Sequence, residues 1–327
     1  MLNEIGALYA VSGKEDEMRD FLIKNLSGCC DTLKTDGMGS VIATKKGDNP
    51  ELKLFLLVPM DESGIIISQI TEDGYLKFHT IGKIRPEFLV SKRVLIHGHS
   101  GVIAVKAVHL ATKAEREKPV CEEDLWIDIG AESKEDAEAI VTIGDYGSFD
   151  STFLPFGDAM IKGRALGSKI SCALALELLK LNLPITLEVA FVAQFEIGFR
   201  GATTALRQLT AKHGIILDGI AEGEDASCNQ GPVFFFHLLE KENMDEMQAL
   251  AKTKKIPLQI RFLEENGRDL IVAKDGTEKR FLGLGIPVRY QESAAQVASL
   301  RDKNMLFDLL LQFINDYANG GFFYGDQ

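Results

Sequence analysis

Met18, Phe21, Leu22 and Leu26 recur at helical spacing behind Ser12 and Glu15, which stand three residues apart as in a capping box. The pattern predicts a first helix from Gly13 to Leu26. Val41 to Thr44 reads as a short strand, and Leu52 to Val58 as a buried strand closed by Pro59, where a ladder donor is missing. Asp61 then lies just beyond a strand's carboxyl end, the edge at which open α/β sheets bind ligands.

From about Ser68 to Pro155 the rhythm changes. Short alternating pieces (the end of Ile65 to Ile70, Tyr75 to Thr80, Arg93 to His97, Gly101 to Val105) are separated by Gly and Asp turns and one helix, Ser133 to Ile140. Such spacing predicts a small β-barrel or sandwich inserted into another fold. Helical and strand patterns alternate again afterwards. Helices are expected at Ser168 to Leu181, Ala202 to Lys212, about Met244 to Lys254 and Leu300 to Ala318. Strands are expected at Thr186 to Val192, Gly214 to Asp218, Leu258 to Phe262, Asp269 to Ala273 and Leu282 to Val288. This is the rhythm of an α/β sheet with helices on both faces. With no repeat and no low-complexity linker, the expected division is one α/β domain over 1–67 and 156–327, interrupted by an insert over 68–155.

Length and composition narrow the function. The 327 residues are 46% hydrophobic, enough for a sizeable core. Acids outnumber bases 48 to 36, a net charge of −12 that argues against nucleic acid as a partner. No apolar run is long enough to cross a membrane, and the start MLNEIGALYAVSG lacks a basic segment before an apolar core. Five cysteines without C-x-x-C spacing fit reduced thiols, so a cytoplasmic protein is expected.

The zinc helix H-E-x-x-H, the phosphate loop and the G-x-S-x-G elbow are all missing. What remains is a set of acids at strand ends: Asp61, Glu196, Asp218 and Glu292. The histidine pair His97 and His99 falls in the insert and reads as packing, as do His109, His213 and His237. Phe234 to Phe236 reads as a core strand, the run Lys113 to Lys118 as a solvated loop, and Phe281 to Gly285 as a turn.

Seven segments in order carry a family resemblance: VSGKEDEMRDF, DGMGSVIATKKG, MDESGIIIS, RVLIHG, DLWIDIGAESKEDAEA, EIGFRGA and GIPVRY. The chain resembles the tetrahedral-shell aminopeptidases, the glutamyl aminopeptidase and cellulase M group of dinuclear metallopeptidases in the MH clan. The resemblance implies an α/β fold with a phosphorylase/hydrolase-like mixed sheet of zinc-peptidase type, helices on both faces and an inserted PDZ-like β-barrel. It also implies association through the insert, into dimers and further into twelve-subunit shells.

The family's site residues carry over unevenly. Its A-H-M-D appears as Val58-Pro59-Met60-Asp61, so Pro59 stands where a histidine would ligate, while Asp61, the catalytic aid, is kept. Its A-L-D-D-R-x-G-C appears as Ala165 to Cys172, with Gly167 at the carboxylate that would bridge two metals. Phe195 takes the place of the general base beside the kept ligand Glu196, and Asp218 matches another kept ligand. Glu292 occupies the last histidine's place.

A benzyl group accepts no proton, and loss of a general base alone costs about a hundred- to ten-thousandfold in rate. The expectation is therefore a protein without metallopeptidase activity, kept for assembly, for binding a peptide or small molecule, or for regulation. No cofactor is expected. The alternative is a hydrolase using one hard cation (Mg²⁺, Mn²⁺ or Ca²⁺) on Glu196 and Glu292 rather than two Zn²⁺. Without a cation, the clustered acids are expected to raise one another's pKa or to draw in a cation of the protein itself, such as Lys169 or Arg289.

Overall fold

The computed structural model describes residues 1–107, 109–236, 241–262 and 279–323. The expected strand Asp269 to Ala273 and His237 lie outside the described residues.

The centre is β3 (Asn49–Pro59). Its Leu54, Leu56 and Val58 enter one hydrophobic core and Phe55 and Leu57 the other, so both faces are covered. That is why its sequence is a continuous apolar run instead of an alternation. β3 pairs in parallel with β12 (Ile185–Val192) and β13 (His213–Ala221), and β13 in parallel with β16 (Arg280–Arg289). Antiparallel strands extend both sides. β2 (Val41–Lys45) and β1 (Thr32–Thr35) follow β12, while β17 (Gln296–Ser299), β11 (Met160–Gly163) and β10 (Leu154–Phe156) follow β16. β14 (Val233–Phe236) pairs with β16 and with β15 (Gln259–Phe262).

Helices α1 (Leu2–Ala7), α2 (Asp16–Leu26), α5 (Leu166–Leu179), α7 (Lys241–Lys254) and α8 (Leu300–Ala318) pack on one face. Ala202, Ala205 and Leu206 of α6 (Arg200–Leu206) pack on the other. α2 is shorter than its pattern. Glu15 stands at its N-cap and its carboxylate accepts from Gly13 N (2.7 Å) and Gln194 N (3.0 Å), so the Ser12–Glu15 capping box does not form. α8 keeps its expected bounds because Ser299 caps it, accepting from Arg301 N and Asp302 N.

The inserted unit is a closed six-stranded barrel in the order β4-β5-β8-β7-β6-β9. Its strands are β4 (Gly64–Ile70), β5 (Leu76–Ile81), β6 (Arg93–Ile96), β7 (His99–Val105), β8 (Leu125–Asp128) and β9 (Tyr146–Phe149). Ile65, Phe78, Val94, Ile103, Ile127 and Phe149 fill it, and closure leaves no unpaired edge. The barrel strands thus run from Gly64 to Phe149, while β10 pairs with β11 in the large sheet. Short helical turns connect these strands. Among them, α3 (Lys113–Arg116) lies where a loop is expected, and α4 (Lys134–Glu138) is capped by Ser133 accepting from Asp136 N.

Candidate functional site

The carboxyl ends of β3, β12, β13 and β16 open at one sheet edge, and the chain turns sharply after β11, after β12, at the start of α6 and after β16. Ala165 (φ 43°), Gln194 (φ 51°), Phe199 (φ 58°) and Tyr290 (φ 57°) all adopt the left-handed conformation. Each carries a Cβ that disfavours it by roughly 1–2 kcal/mol. Gln194→Gly is therefore expected to raise stability by about 0.5–1 kcal/mol, because relieved strain exceeds the extra chain entropy of glycine. Urea melts at pH 7 check this, and a loss of stability would contradict it.

Between these turns Ser63, Ser168, Glu196, Asp218, Gln291 and Ser293 line a cavity of about 30 Å³, room for one or two water molecules. Asp61 sits beneath it, 1% exposed, with Oδ2 accepting from Glu196 N at 2.9 Å and Oδ1 without a hydrogen-bond partner among the described residues. Burial first, and then the nearby Glu196 carboxylate, hold its pKa well above the usual carboxylate range. Ser63 Oγ donates to Glu196 Oε2 at 3.2 Å. Asp218 Oδ1 accepts from the next amide, Gly219 N, at 2.7 Å.

The other expected positions are placed as follows. Pro59 ends β3, buried, and its carbonyl accepts from the Cys172 thiol at 3.3 Å. Phe195 is 1% exposed and turns into the core toward α6, edge-on to Phe199 at 4.8 Å, away from the cavity. Gly167 lies in the first turn of α5, at the cavity wall. Glu292 is exposed and does not line the cavity; its neighbours Gln291 and Ser293 do. The structure therefore brings Glu196 and Asp218 to one cavity with Asp61 beneath, and leaves Glu292 out of it.

The two cations expected to approach the acids bind elsewhere. Arg289 Nε pairs with Glu222 at 2.6 Å. Lys169 Nζ, 1% exposed, reaches Glu62 Oε2 at 3.1 Å and the carbonyls of Leu8 (2.8 Å) and Gly6 (3.3 Å). Glu62 is the hub that sequence reasoning missed. It is 2% exposed and also accepts from Arg164 Nε (3.2 Å), Ser148 Oγ (2.9 Å) and Ala10 N (3.2 Å). Burial raises its pKa, but Lys169, Arg164 and the amide outweigh it and bring it to about 2. Lys169 is lowered to about 8, because burial and the Arg164 charge together exceed the attraction of one shared carboxylate. Arg164 also donates to Leu8 O (2.9 Å) and Ser151 O (3.2 Å), and its guanidinium lies 4.2 Å from the centre of the Tyr9 ring.

Two glutamines were also missed; the signal for Gln291 was only its position after the end of β16, and Gln296 opens β17. Gln296 Oε1 accepts from Leu166 N (2.7 Å), capping α5 in place of the side chain that Ala165 lacks. Gln296 Nε2 donates to Gln291 O (2.8 Å), and Gln291 Nε2 to Gly219 O (2.9 Å).

The fold is that of a TET aminopeptidase from the marine sediment archaeon Thaumarchaeota archaeon SCGC AB-539-E09. The two superpose with a TM-score of 0.91 at 25% identity, covering 98% of both chains. The family model of the M42 glutamyl aminopeptidases matches residues 39–309, and the chain belongs to that family. It is 30% identical to FrvX of Escherichia coli K12, over 96% of this chain and 94% of that one. The Pyrococcus horikoshii TET1 peptidase superposes with a TM-score of 0.84 at 25% identity, covering 96% and 98%.

A pair of zinc ions does not fit the donor set found here. Zinc favours nitrogen or sulfur with oxygen in a tetrahedral cage, whereas Pro59 and Gly167 offer no ligating side-chain atom and Glu292 does not line the cavity. Among the described residues, no group of three His, Cys, Asp or Glu side chains is placed to hold a metal ion.

Proposed function

We propose that this chain is a member of the M42 family without metallopeptidase activity, kept for assembly and for a ligand-binding or regulatory role. The observation that carries the reading is Phe195: the residue at the general-base position is a buried core side chain beside an otherwise retained Glu196. Asp61 is held toward its neutral form and Glu62 is engaged by two cations, so among the described residues the carboxylates left at the cavity are Glu196 and Asp218, both at expected ligand positions. The single-cation alternative loses support with the exposure of Glu292, which leaves Glu196 and Asp218 as its donors at the cavity.

The test is direct. Purified full-length protein, given a panel of unblocked peptides with Zn²⁺, Co²⁺ or Mn²⁺, is expected to release no amino-terminal residue above a blank. Release that disappears in Glu196→Ala would overturn the reading.

For assembly, the support comes from relatives: the Pyrococcus horikoshii TET1 peptidase can assemble into a tetrahedron or a large octahedral shell. This chain has the same fold, and its barrel exposes Phe88, Val102 and Leu110. A homo-oligomer of at least two subunits is the form we assign to it, built through the barrel. No helix among the described residues is long and apolar enough to cross a membrane. All five cysteines are free thiols, in keeping with a cytoplasmic setting.

A further inference from the structure

We infer that the bridging position of the metal centre is closed by backbone, so that a carboxylate cannot simply be returned to it. The observation is a reciprocal contact of two glycines. A Cβ on Gly167 would stand 2.6 Å from both Cα and N of Gly219, and 3.3 Å from Asp218 Oδ1. A Cβ on Gly219 would stand 2.6 Å from Gly167 Cα and 2.9 Å from Val288 Cγ2. Real Cβ atoms essentially never come this close, and here the obstructing atoms are main chain, which cannot rotate away as a side-chain end can. The missing side chain of each residue points at the other.

Neither partner can retreat cheaply. β13 is hydrogen-bonded within the sheet between β3 and β16. α5 is buried at every position but Glu177, and packs across β3, β13 and β16. Its first free amide is fixed by Gln296, and Lys169 in its second turn is tied to Glu62 and to the amino-terminal carbonyls. Seating any side chain at 167 requires lifting the first turn of α5 off the sheet and breaking those ties. The backbone of β13 at Gly219 stands in the space an aspartate stem at 167 would need. This goes beyond missing donors: loss of the bridging carboxylate has been built into the packing of the sheet.

The sign of one substitution tests the inference. An ordinary helix glycine replaced by alanine raises stability, because the unfolded chain loses freedom and the helix gains a better former. Gly167→Ala in the full-length protein is expected to lower the thermal midpoint by several degrees, and Gly219→Ala likewise. The double variant should lose less than the sum of the two, since the first alanine has already parted the backbones. A midpoint that is unchanged or raised in Gly167→Ala overturns the inference.

A second readout is metal content. Pro59→His/Gly167→Asp/Glu292→His, passed through gel filtration in zinc, is expected to carry less than one zinc per chain by elemental analysis. Two per folded chain would also overturn it. If the triple variant does not fold, the alanine series decides alone. Peptide release by the unaltered protein would refute the loss of activity while leaving the glycine contact standing; a raised midpoint would do the reverse.

Discussion

Lys169→Ala is expected to destabilise the folded chain by about 3–5 kcal/mol, the range found when one partner of a buried ion pair is removed. The reason is what stays behind. Glu62 keeps its charge in a site 2% exposed, with the Arg164 guanidinium still paired to it, and the carbonyl of Gly6 loses its Lys169 donor while that of Leu8 keeps Arg164. A surface pair of nearly the same length gives the contrast. Lys134 reaches Glu72 at 3.2 Å, close to the 3.1 Å of Lys169 to Glu62, but it is solvent-exposed, and Lys134→Ala should cause no measurable change. Urea unfolding of both variants at pH 7 decides between geometry and burial as the source of the energy. A loss below about 1 kcal/mol for Lys169→Ala would mean that the amino-terminal segment relaxes and lets water in.

The acid limb of stability should be governed largely by Glu62. Its folded pKa, about 2, lies below the unfolded value of 4.5. The stabilisation it provides is therefore complete above about pH 4.5 and is lost as the pH falls toward 2. At 1.36 kcal/mol per pKa unit this amounts to about 3 kcal/mol. Glu62→Gln removes that slope: the variant should be much less stable at pH 7 and should approach the parent protein near pH 2. Lys169 changes stability with pH in the same direction, because its folded pKa of about 8 likewise lies below the unfolded 10.5. Its contribution becomes more favourable as the pH climbs through that interval. Denaturant titrations from pH 2 to 10 measure both limbs, and a Glu62→Gln curve parallel to the parent's in acid would contradict the assignment.

How much of this could be read from the chain differs by element. β3 and α8 were legible because each satisfies one strong local rule: an unbroken apolar run covered on both faces, and a capped amphipathic stretch. The barrel was legible only as a class, since its closure depends on β4 meeting β9, a pairing that no local pattern announces. α1 went unseen because six residues are too few to show a period.

At the site, the expectation that Pro59, Gly167 and Phe195 supply neither ligand nor base rests on residue identity, which is read directly from the chain. The direction of a side chain could not be read in that way. Glu292 was expected among the acids, but Tyr290 takes a left-handed conformation as the chain leaves β16, and Gln291 and Ser293 are the residues that face the cavity. The Glu62 hub escaped for another reason: its partner Arg164 lies 102 positions away, and only the folded sheet brings the two together.

The tie between Lys169, Arg164 and the carbonyls of residues 6 to 8 has a consequence for biosynthesis. Those contacts span 156 to 163 positions, so residues 6 to 8 leave the ribosome well before their anchors have been made. At ~5–20 residues per second the wait is on the order of ten seconds. Throughout it the apolar stretch with Leu2, Ile5 and Leu8 is open to capture by chaperones or by nascent neighbours on the same messenger.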